Sequence, residues 1–154
     1  MTYEELLLCT DSEGVAVIDY KFNSDRIKGL YCNGTIAINS KIPTSAEKSC
    51  ILSEELGHYH TTAGDILDQS VVGNRKQELQ ARMWAYNRLI GLTGLINAQK
   101  AGCTNLYEVA EYLEVTEEFL RETIECYKSK YGLCTTVDNY VIYFEPAIAV
   151  LELI

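Results

Sequence analysis

Hydrophobic positions along this chain change period twice, from a strand-like spacing to a helical one and back. After a short helical stretch from Tyr3 to Cys9 and the turn cluster Asp11-Ser12-Glu13-Gly14, the run Val15–Tyr20 is apolar and β-branched, as a buried strand is. Asn23-Ser24-Asp25 breaks it. Gly29–Cys32 and Thr35–Asn39 then flank Asn33-Gly34, the strongest short hairpin signal, so a small antiparallel sheet is expected here. Pro43 and the capping box Thr44-Ser45-Ala46-Glu47 open a helix predicted over Thr44–His60, with Ile51, Leu52 and Leu56 on its buried side. Thr61–Asp65 ends it, and Ile66–Gly73 reads as a connecting loop. A second long helix is predicted over Asn74–Ile90, carrying Leu79, Met83, Trp84, Tyr86 and Leu89. Gly91, Thr93 and Gly94 weaken the pattern before a short helical stretch to Lys100, and Gly102–Asn105 breaks it. Two further helices, Leu106–Leu113 and Thr116–Tyr131, meet at Glu114-Val115. From Val137 the spacing is strand-like again, through Tyr140–Phe144, a break at Pro146 and Ile148–Ile154.

Strand patterns at the ends and helical patterns in the middle predict an α+β fold rather than β-α alternation. The small sheet should pack on the two long helices, with a helical subdomain and a β-like C-terminal tail. The expected division is 1–100 and 101–154, or one continuous domain. A length of 154 residues with 47% hydrophobic content is enough to bury one core. A formal net charge of -9 argues against general nucleic-acid or anionic-membrane binding. The basic residues Arg75, Lys76, Arg82 and Arg88 are spread along one helix and form no cluster. The six cysteines show no C-x-x-C pair and no metal-type spacing. Neither a signal-peptide pattern nor an apolar run near the roughly 18 residues of a membrane helix is seen, so a cytoplasmic protein is expected.

The chemistry concentrates in Ser53-Glu54-Glu55-Leu56-Gly57-His58-Tyr59-His60. It reads as the zinc-peptidase helix motif H-E-x-x-H with glutamate for the first histidine. Glu54 and His58 are four apart and project from one helix face, one turn above the other. A hydrolytic site needs three protein ligands, an open position for water and a base nearby, which Glu55 can supply. The third ligand comes from elsewhere: Glu78, near the start of the next helix, is preferred to the loop carboxylates Asp65 and Asp68, which are less rigidly placed. His60, about 200° round the helix from His58, suits a supporting role or a helix-end hydrogen bond better than ligation. Taken singly, a Glu-Glu pair is most often a solvated face. It is the combination with Gly57-His58, the capped helix and Glu78 that points to a metal site. Met83 and Trp84 read as core, and the eleven tyrosines as surface packing.

Between Thr44 and Tyr131 the chain resembles the ImmA/IrrE family of metallopeptidases, found in phages, mobile elements and their hosts. Leu52-Ser53-Glu54-Glu55-Leu56-Gly57-His58 is similar to the family's L-x-H-E-L-G-H core, and the stretch from Arg75 to Ala85 to its E-x-x-A-x-x-F-A segment. The resemblance implies a zincin-like fold, with Glu55 as catalytic base and Glu54, His58 and Glu78 as ligands of a glutamate-type site. It also implies a protein substrate, a helix-turn-helix repressor encoded beside the enzyme.

Glu54 departs from the family's histidine. Glutamate ligates zinc through oxygen at ~2.0–2.2 Å, so a site remains possible. A shell of two histidines and one carboxylate leaves the centre formally +1, whereas Glu54, His58 and Glu78 leave it neutral. A neutral centre polarises water less, and oxygen-rich ligation admits Mn2+ or another divalent ion beside Zn2+. Two functions are therefore expected in competition: a metal-dependent endopeptidase cleaving such a repressor, and a catalytically inactive module that docks a regulator protein. The pair Leu106–Leu113 and Thr116–Leu120 has the cadence of a helix-turn-helix. Its second helix opens Thr116-Glu117-Glu118, which would repel phosphates, so packing or partner docking is expected and no direct nucleic-acid contact.

Overall fold

The computed structural model describes residues 1–61 and 71–154, with side chains from Arg75 onward in the second stretch. The architecture is α+β. The chain falls into two compact units, Met1–Ala85 and Tyr86–Ile154, divided inside a helix, where the sequence reading placed its boundary at 100/101.

The first unit opens with helix α1, Tyr3–Ser12. A full capping box starts it: Glu5 N–H donates to the Thr2 hydroxyl at 3.1 Å, and Thr2 N–H donates to the Glu5 carboxylate at 2.9 Å. Glu13 caps its C-terminus and Gly14 turns the chain at φ +79°. Three strands follow, β1 (Ala16–Tyr20), β2 (Gly29–Cys32) and β3 (Thr35–Asn39), in spatial order β1-β3-β2. The β2–β3 hairpin turns at Asn33 and Gly34, both at positive φ, as their types require. β1, however, runs parallel to β3, Val17 beside Ile36 and Asp19 beside Ile38, so the sheet is mixed and not purely antiparallel. The segment between β1 and β2 is long enough to cross the sheet. It leaves the central slot to β3, whose Ile36 and Ile38 are fully buried.

Helix α2, Ser45–Thr61, covers this side of the sheet with Leu52 and Leu56 buried. Each such side chain removed from water contributes ~1.5–3 kcal/mol. The Thr44 hydroxyl accepts from Glu47 N–H at 3.2 Å, as the capping box predicts, while the Glu47 carboxylate pairs with Lys28 Nζ at 3.3 Å. Helix α3, Val71–Leu89, begins before the expected Asn74. Most of the Ile66–Gly73 connection, with Asp65 and Asp68, lies outside the described residues.

The second unit contains the end of α3, then α4 (Gly91–Lys100), α5 (Leu106–Leu113), α6 (Glu117–Tyr131) and an antiparallel meander of β4 (Cys134–Val137), β5 (Tyr140–Tyr143) and β6 (Ala149–Glu152). The strand pattern therefore begins at Cys134, earlier than Val137, and the tail is a paired sheet. Asn105 and Thr116 cap α5 and α6 with their side chains. Tyr127 is fully buried and satisfies its hydroxyl on Asn87 Oδ1 at 2.7 Å, while Tyr86 packs edge-on to Phe119. No helix among the described residues is long and apolar enough to cross a membrane.

Candidate metal centre

A close approach between α2 and α3 is made possible by a residue with no side chain. A Cβ placed on Gly57 would stand 2.2 Å from the carbonyl oxygen of Ala81 and 2.9 Å from its carbon. Ala81 and Ala85 are themselves fully buried, so small residues bring the two helices together on the α3 side as well. One residue after Gly57, His58 extends toward α3 and places Nε2 3.1 Å from Oε2 of Glu78. His58 is about one-third exposed and Glu78 about half, so the pair opens to water.

Glu55 occupies the enclosed side of the same place. Burial pushes its carboxyl above the usual carboxylate range; the His58 ring lowers it again, Glu78 raises it, and the Tyr31 backbone N–H, donating to it, lowers it. That N–H comes from β2, whose backbone presses on α2 at Gly29. A Cβ on Gly29 would stand 2.6 Å from Ile51 Cγ2 and 3.3 Å from Glu55 Cγ. Tyr31 and Tyr59 meet edge to face with centroids 5.8 Å apart. Sequence reasoning missed Gly29 and the Tyr31 amide, because the strand–helix contact that uses them is invisible along the chain. Gly29→Ala should therefore cost about 1–3 kcal/mol, since Ile51 must move. Denaturant unfolding checks this, and an unchanged midpoint would show that β2 does not press on α2.

Of the expected site residues, the structure brings together His58, Glu78 and Glu55. Glu54 lies half-buried on α2, one turn before His58. Among the described residues no set of three His, Cys, Asp or Glu side chains is placed to hold one ion. The pair alone fits two positions of a metal shell. Ligands at 2.0–2.1 Å from a tetrahedral zinc stand about 3.3 Å apart, close to the separation of His58 Nε2 and Glu78 Oε2. Without metal the same two atoms make a close ion-pair contact, and ligation uses the unprotonated form of Nε2. His60 does not join this group. Its Nε2 lies 2.9 Å from Glu13 Oε2 and its ring stacks on Trp84.

An α+β unit in which a half-buried glutamate stands beside a histidine–glutamate pair formed between two helices is consistent with a zincin-like domain of metallopeptidase type. The chain belongs to the IrrE N-terminal-like family of peptidases, whose model matches residues 10–125. No curated protein and no solved structure matches it significantly. The family implies a protein substrate and a divalent metal.

Proposed function

We propose that this chain is a metal-dependent endopeptidase of ImmA/IrrE type that cleaves a helix-turn-helix repressor of a phage or mobile element in the cytoplasm. Glu55 serves as catalytic base, and Glu54, His58 and Glu78 as ligands of Zn2+, or of Mn2+ or another divalent ion. The observation that carries the reading is the His58–Glu78 pair at 3.1 Å with a half-buried Glu55 beside it. Desolvation gives Glu55 a raised proton affinity, which suits a group that takes a proton from the attacking water and hands it to the leaving nitrogen. The Tyr31 amide orients the Glu55 carboxylate for that transfer, and Glu78 keeps His58 turned toward the same point. A divalent ion, when bound, supplies Lewis-acid polarisation of the scissile carbonyl.

A second reading keeps the cleft and drops the reaction: a catalytically inactive module that grips the regulator. Glu54 in the place of a histidine favours it, as does the lack of a three-donor set among the described residues. Incubating the metal-loaded chain with the repressor encoded nearest its gene decides between them. Cleavage that disappears in Glu55→Gln supports the enzyme, whereas tight binding with no cleavage under Zn2+ or Mn2+ establishes the module. His58→Ala should abolish metal uptake, read by metal analysis of protein purified without chelator. Undiminished uptake would place the metal elsewhere.

A further inference from the structure

The two flanks of the α2–α3 contact carry different pairs of side chains. At 100° per residue, with Gly57 and Ala81 on the contact line, His58 and His60 leave α2 on opposite sides of that line. Glu78 and Trp84 divide in the same way on α3. The observed pairs follow this division. His58 meets Glu78 on one flank, and on the other the His60 ring lies on Trp84 with centroids 4.5 Å apart and planes 17° from parallel. His60 is held from two more directions, by the Glu13 carboxylate at 2.9 Å and by the edge of Tyr59 at 4.9 Å. Glu13 is the C-cap of α1, so the cluster ties three helices together.

We propose that the Glu13–His60–Trp84 cluster is the positioning element of the metal centre. At Gly57 the two backbones are in contact, with no side chain to compress, so the helices can adjust only by rocking about that contact. Stacking on one flank stops the rocking, and thereby sets the separation of His58 and Glu78 on the other. Trp84 and His60 act through this lever as positioning residues and touch neither metal nor substrate. The inference rests on His58 and Glu78 being the ligands proposed above.

The chain has two histidines, so long-range 1H–15N spectra of the metal-free protein resolve both rings, with His58→Ala and His60→Ala as assignments. Trp84→Ala should move the resonances of both rings and lower zinc affinity by about 10–100-fold, the usual effect of removing support behind a ligand. Trp84→Phe keeps an aromatic face for His60 and should restore both readouts. Leu6→Ala, a core truncation in the same unit, should lower stability and leave the His58 ring unmoved. A folded Trp84→Ala protein that shifts His60 alone, with zinc affinity at the parent value, overturns the proposal. If that variant does not fold, Glu13→Ala frees the His60 ring from the carboxylate that holds it against Trp84 and so loosens the stack. It should still shift His58, and an unmoved His58 there overturns the proposal as well. These spectra need neither metal nor turnover, so a chain that cuts no protein would defeat the endopeptidase reading while leaving the lever standing.

Discussion

Replacing Glu55 by glutamine should leave the metal bound and lower peptide hydrolysis by about 10²–10⁴-fold, the contribution of a positioned base. Glutamine keeps the oxygen that accepts the Tyr31 amide but cannot carry the proton. The same change should stabilise the metal-free protein. Burial holds the Glu55 carboxyl above its ordinary range in the folded state, so folding disfavours the ionised form. Below the ordinary carboxylate value, about pH 4, Glu55 is neutral in both states and costs nothing. As pH rises from there through the folded-state value the cost grows, and above that value it is fully present. Thermal melts in chelator should thus show Glu55→Gln level with the parent near pH 4 and more stable at pH 8. The gain is about 2–4 °C for each kcal/mol relieved. A variant less stable than the parent at pH 8, or one that still cleaves at the parent rate, would remove Glu55 from the reaction.

Gly57→Ala should be the most damaging small substitution in the first unit. In an exposed helix interior, alanine for glycine gains about 1 kcal/mol. Here the new Cβ meets a backbone oxygen at 2.2 Å, where ordinary contact begins at about 3.4 Å, so the helices must part by about 1 Å. Overpacking costs typically 1–3 kcal/mol, and a backbone cannot yield as a side chain does, so about 3 kcal/mol is expected and the collision outweighs the propensity gain. That is a fall in Tm of about 6–12 °C. The separation also falls on the His58–Glu78 pair, and a misplacement of about 1 Å can cost ~10²-fold in rate. A Gly57→Ala protein that melts at or above the parent temperature with parent metal affinity would show that the helices do not touch there.

Much of this protein was legible along the chain, and the reasons are local. The Asn33-Gly34 turn, the Thr44 cap and the segment from Leu52 to His58 declare themselves because turns, caps and i, i+4 pairs are formed by neighbours in sequence. The order of strands could not be read that way. β3 takes the centre and is the most buried of the three strands, while the more apolar β1 lies parallel to it at an exposed edge, a placement made across the whole sheet and not by either strand's own composition. The meander at the C-terminus was half seen, since Cys134–Val137 becomes a strand by pairing with Tyr140–Tyr143 and not by its own pattern. The site divides on the same line. His58, Glu55 and Glu78 were named from residue type and spacing. What only the tertiary structure decided is that Glu78 meets His58, that Gly57 and Gly29 let backbones close on the site, and that Trp84 and Glu13 are the partners of His60. Residue types and helical spacing specify which groups can do chemistry. Distances between helices depend on packing among residues far apart in the chain, and those distances bring the groups together.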